Sequence, residues 1–203
     1  MGIRQLSKAS IATGAKSSKF WDQSTVVGYY ESIATTTVGS GGVASITFSS
    51  IPSTYTHLQL RGFAQTNRGT YAIDQINLVI NGDSGSNYSW HNVFGDGSNA
   101  RAEGYANQTY IQSADGTIGT GAGSNFGAVI YDFLDYANTS KYKTVRYLAG
   151  TDANGLVSGY GGRVGLNSGS WRNTNAITSL TITPFAGSLL NQYSSFALYG
   201  IKG

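Results

Sequence analysis

From Tyr29 onward, apolar residues recur at every second position in short runs, and each run ends in glycine, asparagine, serine or aspartate. A period of two is the spacing of a strand with one buried face, and it cannot be laid on the 3.6-residue stripe of an amphipathic helix. "VASITFSSIP" puts Ile46 and Phe48 on one face. "HLQLRGFAQ" puts Leu58 and Leu60 on one face, with Gln59 and Arg61 opposite. "DQINLVINGD" collects Ile76, Leu78 and Ile80, then stops at an Asn81-Gly82 turn. The pattern starts at "YYESIATTTV" and runs through "NYSWHNVFG", "GYANQTYIQS", "FGAVIYDFLDY", "KYKTVRYLAG", "SGYGGRVGL" and "AITSLTITP". It closes on "SSFALYGIKG", where Phe196, Leu198 and Ile201 are read as its apolar face. Helical stripes of ten or more residues do not interrupt it. Strands at this spacing with such turns predict an all-β fold, an antiparallel sandwich or barrel of about ten strands. "SADGTIGTGAGSN" carries little pattern and reads as an exposed loop.

The charges divide the chain in two. Residues 1–27 hold Arg4, Lys8, Lys16 and Lys19 against Asp22, a net of +3, and the remaining 9 basic and 9 acidic residues cancel. A neutral body does not attract nucleic acid, and four scattered cations in the leader are a poor nucleic-acid signal. Lys16 and Lys19 break the apolar run that a signal peptide needs, and Leu6 stands where a myristoylation signal has Ser or Thr. No stretch approaches the ~18 apolar residues of a membrane span. Only 11% of the residues are charged, against roughly 25% in an average domain, so Ser, Thr, Asn and Gly must cover much of the surface. The expected organisation is a basic N-terminal attachment arm over 1–27 and a β-sandwich body over 28–203. The arm is expected to be extended and ordered against a partner. Arg4, Lys8, Lys16 and Lys19 would supply attraction, and Phe20 and Trp21 an apolar anchor.

Motifs for chemistry are sparse. There is no Cys, and the two histidines, His57 and His91, fall in different expected strands. Neither sits in a metal-pair spacing, and no nucleophile elbow occurs. Asp132 and Asp135 are three apart, which places them on opposite faces of a strand and not across one glycosidic bond. "NGDSGSN" and "DANG" lack the closing acid of a calcium loop and read as turns. No catalytic residue, cofactor or metal site is expected. Tyr is the most over-represented large residue, with 14 copies. Clusters at Tyr88 and Trp90, and at Tyr105 and Tyr110, are candidate glycan contacts, with sheet packing the better account of them.

"YESIATTTVGSGGVASITFSSIPSTYTHLQLRGFAQT", "NLVINGDSGSNYSWHNVFGDG" and "ITSLTITPFAGSLLNQYSSFALYGIKG" together resemble a recurrent domain of tailed-bacteriophage structural proteins. The resemblance spans 29 to 203, and "QLSKASIATGAKSSKFWDQ" looks like the leaders such proteins carry. It implies a jelly-roll-like β-sandwich, a virion location after assembly in the host cytoplasm, and no catalytic residues. It implies other virion proteins as partners and a homo-oligomer, a trimer by analogy with phage cement proteins and fibres. The expected role is that of a capsid decoration (cement) protein held by its arm. The alternative is a short tail or head fibre that binds host surface glycan.

Overall fold

The structure, a computed structural model, describes residues 29–69, 71–113, 117–119, 123–153 and 161–203, with backbone alone at 117–119. The leader and its candidate contacts Arg4, Lys8, Lys16, Lys19, Phe20 and Trp21 lie outside the described residues. Every regular element among the described residues is a strand. In chain order they are β1 (Tyr30–Thr37), β2 (Ile46–Phe48), β3 (His57–Thr66), β4 (Ile73–Asp74), β5 (Ile76–Ile80), β6 (Tyr88–Gly95) and β7 (Ala100–Gln108). They continue as β8 (Ile111–Gln112), β9 (Thr117–Gly119), β10 (Gly127–Phe133), β11 (Lys143–Asp152), β12 (Gly162–Trp171), β13 (Leu180–Pro184) and β14 (Ser195–Ile201).

Two sheets form the sandwich. The wide one runs β1-β14-β3-β10-β11-β12-β6-β7, and the small one runs β2-β13-β5-β8. All pairings along both paths are antiparallel. β9 joins the edge of the assembly through β4 and a short parallel pairing with β3. The closing strand β14 lies between the edge strand β1 and β3, paired with β3 from Ser195–Phe63 to Ile201–His57.

The alternation read from sequence sets which face is buried. Ile46, Phe48, Ile76, Leu78, Ile80, Leu180 and Ile182 line the small sheet, and Leu58, Leu60, Val129, Tyr131, Phe133, Val145, Tyr147, Phe196 and Leu198 line the wide one. Together they make one continuous core. Burial of a large apolar side chain stabilises by roughly 1.5–3 kcal/mol, so this core dominates the fold's stability. Three expectations change. Ile201 falls on the opposite face from Phe196 and Leu198, because Gly200 occupies the inward position and lies against the Tyr55 ring. Three two- or three-residue strands, β4, β8 and β9, add to the eleven runs legible in sequence, and β9 lies within the stretch expected to be loop. Asp135 is not in a strand. β10 ends at Phe133, and Asp135 turns the chain with a φ of 48°.

Candidate functional site

Tyr88 and Trp90 alternate inward on β6, and they are 0% and 4% exposed. The Tyr88 hydroxyl donates to the carbonyls of Ile80 and Asp83 and accepts from the Ile80 amide, and burial pushes its pKa up to about 12. These two rings are core and present no surface to a glycan. Tyr105, on the outermost strand β7, lies over Trp90 with ring centroids 4.4 Å apart and keeps its other face to solvent. Tyr110 is half-buried in the turn between β7 and β8. The four aromatics therefore share one end of the sheet, and only Tyr105 and part of Tyr110 reach solvent.

The two histidines do not converge, and among the described residues only His57 meets a carboxylate, with its Nδ1 3.8 Å from Asp135 Oδ1. His57 opens β3, where its Nδ1 accepts the Asp135 amide at 3.0 Å. His91 projects from β6, on the far side of β10, β11 and β12. Asp132 accepts from Gln59 at 2.7 Å and pairs with Arg146 at 3.3 Å on the outer face. Asp135 pairs with Lys141, which holds its carboxyl below the usual range. Among the described residues no group of three or more His, Asp or Glu comes together.

Two polar centres are structural. Asp83 accepts from Trp171 Nε1 at 2.7 Å, from the Gly85 amide at 2.9 Å and from Asn87, and these bonds hold its carboxyl below the ordinary range. Asp74 is fully buried. It accepts from Thr66 Oγ1 at 2.6 Å and from the amides of Gln75, Ala186 and Gly187, with Arg68 at 3.8 Å. A buried carboxylate with this many donors pins the 185–187 turn to the end of β3.

Among the described residues, a depression of about 460 Å³ lies at the end of β3. Three loops build it: 41–42 after β1, 123–126 before β10, and 191–193 before β14. Gln65 forms the floor and is spent on the scaffold. Its Nε2 donates to the carbonyls of Gly123 and Asn125, and its Oε1 accepts from Asn191 Nδ2 at 2.9 Å. Gly42 is required here, with a φ of 74° and a virtual Cβ 2.8 Å from the Leu190 carbonyl. Tyr193 stands at the rim with a φ of 72° and a side chain 65% exposed. A bulky residue held in the left-handed region is strained by about 1–3 kcal/mol, and such strain gathers where a side chain must be presented. Phe126 lies across the depression, edge-on to Phe63 at 6.0 Å. Aromatic rings beside Ser124, Asn191 and Gln192, with no charged residue in the lining, match an uncharged polyhydroxyl ligand.

Sequence reasoning missed this rim because Gln65 and Asn191 lie 126 residues apart and the three loops meet only through long-range pairing and the Gln65 hydrogen bonds. The one local signal was a tyrosine inside the turn-like "LLNQYSS". No protein family, no curated protein and no solved structure matches the chain.

Proposed function

We propose that this chain is a non-enzymatic structural protein of a bacteriophage virion, and in its leading form a capsid decoration protein. The carrying observation is where the resemblance motifs fall. "NGDSGSNY" is the joint in which Asn81 and Gly82 turn the chain, Asp83 receives Trp171, and Tyr88 locks back onto Ile80. "ALYGIKG" is the strand buried beside β3. The most distinctive residues of the chain are thus spent on rigidity. A protein whose recognisable features are joints, with a neutral body, suits a passive role on a particle surface.

In this reading residues 1–27 attach the body. The described chain begins at an edge strand beside the C-terminus, where the Lys202 amide donates to the Tyr29 carbonyl at 2.9 Å. Exposed ion pairs from the basic residues contribute roughly 0–1 kcal/mol each, whereas burying an aromatic contributes about 2–3 kcal/mol. Trp21→Ala should therefore weaken attachment more than Lys8→Ala. Quantitative mass spectrometry of purified particles tests the role. Many copies per particle, lost on deletion of residues 2–24, is the expected result. Absence from particles overturns the virion reading.

The Tyr193 depression favours a second reading, a short fibre that binds host surface glycan. A few copies per particle, in multiples of three, together with host-polysaccharide retention that Tyr193→Ala abolishes, would select it over decoration.

A further inference from the structure

The outer face of the wide sheet is apolar where a solvated face should be polar. Phe63, Val93, Leu148, Val164 and Leu166 are each between 47% and 60% exposed, and all five project from this face. The strand register places them in two adjoining lines. One line is Ile130, Leu148, Leu166, Val93 and Ala102, each the direct cross-strand partner of the next over β10, β11, β12, β6 and β7. The other is Phe63, Ala128, Gly150, Val164, Gly95 and Ala100, which starts one strand earlier on β3. The first line carries the long aliphatic side chains. The second is mostly glycine and alanine. A polar line flanks each. Beside the first run Asp132, Arg146, Ser168 and His91, and beside the second lies Asp152.

We propose that two copies of this chain associate through this face, about a two-fold axis that runs across the strands between the two lines. Such an axis lays each strand antiparallel over its own copy. The long-side-chain line then meets the second line of the other molecule, which offers glycine or alanine on β10, β11, β6 and β7 and Val164 on β12. Leu148 faces Gly150 of the second copy, Val93 faces Gly95, and Ile130 faces Ala128. Leu166 faces Val164, aliphatic against aliphatic, while Arg146 keeps its own partner Asp132 at 3.3 Å, and the symmetry repeats each contact. This is the self-complementarity that an isologous interface requires. Sheets stacked face to face lie about 10 Å apart with interdigitated side chains, and glycine and alanine make the sockets that such spacing needs. The sheet's twist keeps the two faces closest at β11 and β12, where Leu148 enters at Gly150 and Leu166 meets Val164.

Charge points to the same occupant. Arg61 and Arg146 balance Asp132 and Asp152 on this face, and residues 28–203 are neutral in total, so two copies approach without repulsion. The leader, with its net +3, meets no excess of negative charge here. Six strands and four lines span roughly 24 Å by 20 Å, which is about 1,000 Å² over both copies. That is about the smallest area on which specific association rests, so the dimer is expected in the micromolar range. The proposal does not depend on the virion reading.

Sedimentation equilibrium of the full chain tests it, with near-UV circular dichroism to confirm that each variant is folded. The wild type should be a dimer that dissociates on dilution. Leu166→Asp should be monomeric, its dimer weakened at least ~100-fold by a buried charge. Val93→Asp should weaken the dimer to a similar extent, because Val93 faces Gly95 of the second copy across the same axis. A wild type that stays monomeric to about 100 μM, or forms a trimer, overturns the proposal. So does a Leu166→Asp or Val93→Asp variant that remains dimeric. Dimerisation that appears only after residues 2–24 are removed would assign the face to the leader instead.

Discussion

On β11, Val145, Tyr147 and Ala149 point into the sandwich, and Arg146, Leu148 and Gly150 point away from it. The two sets share one backbone and one period, yet they obey different constraints. Inward positions carry large rings and fixed hydrogen bonds. Tyr147 donates to the Gln112 carbonyl at 2.5 Å, and Tyr131 lies against it with centroids 4.9 Å apart. Outward positions run Thr144, Arg146, Leu148, Gly150 and Asp152, a mix of polar side chains, one long aliphatic and one residue with no side chain. An inward substitution must therefore be felt by the fold. An outward one should be felt by whatever covers that face. Substitutions on the two faces can break or sharpen this contrast.

The largest effect is expected at Trp171. It is 1% exposed, and its indole both fills the core and donates its Nε1–H to the Asp83 carboxylate. Trp171→Ala should cost about 3–5 kcal/mol in urea unfolding followed by circular dichroism. A loss below about 1 kcal/mol would mean that the two faces are not energetically distinct.

The inner tyrosines give the next effect, through pH. Burial raises the pKa values of Tyr88, Tyr131 and Tyr147, Tyr88 to about 12. A folded pKa above the unfolded value of 10.0 means that the contribution is complete below pH 10 and is lost as pH rises through the folded pKa. For Tyr88 the loss is on the order of 2–3 kcal/mol. Alkaline titration should therefore show these tyrosinates appearing together with loss of the near-UV signal. Ionisation of all fourteen tyrosines with the fold intact would contradict the packing described here.

Much of the inner face was legible in sequence, because a buried strand face leaves a period-two trace that needs no partner to be read. Ile46 with Phe48, Leu58 with Leu60, and Ile76 with Leu78 and Ile80 all follow it. Lys143 shows where that trace fails. It takes an inward position on β11, with its ammonium donating to the carbonyls of Asn138, Lys141 and Thr174. Burial, and then the neighbouring Lys141, lower its pKa. Asn138 and Lys141 belong to the turn just before β11, and Thr174 comes from a loop 31 residues further on, which no local pattern announces. Asp74 and the Tyr193 rim were hidden for the same reason. Tyr88 and Trp90 suggested a surface by their chemistry, and alternation assigned them inward.

Gly62 gives a middle-sized effect. It is an inward position on β3, where a Cβ would fall 2.2–2.7 Å from ring carbons of Phe196. The ring is confined by the core and cannot withdraw, so Gly62→Ala should cost about 1–3 kcal/mol by overpacking. Unchanged stability would show slack between β3 and β14.

Gly150→Ala should have the smallest effect on the fold and is the most discriminating test of the contrast. Gly150 is an outward position two strands away from Gly62, and the nearest atom to its virtual Cβ is the Arg163 carbonyl oxygen at 3.8 Å, an ordinary contact. Its backbone needs no left-handed conformation, and alanine loses less entropy than glycine on entering a strand. Monomer stability should therefore stay within about 0.5 kcal/mol of wild type or rise slightly. The same methyl group occupies the socket that Leu148 of a second copy would enter, and symmetry doubles the obstruction. Dimer affinity should fall about tenfold while unfolding is unaffected. If Gly150→Ala destabilises the monomer as Gly62→Ala does, the outer face is under internal constraint and the division between the faces fails. If neither stability nor association changes, Gly150 is no socket, and the two-fold axis does not pass between the two lines.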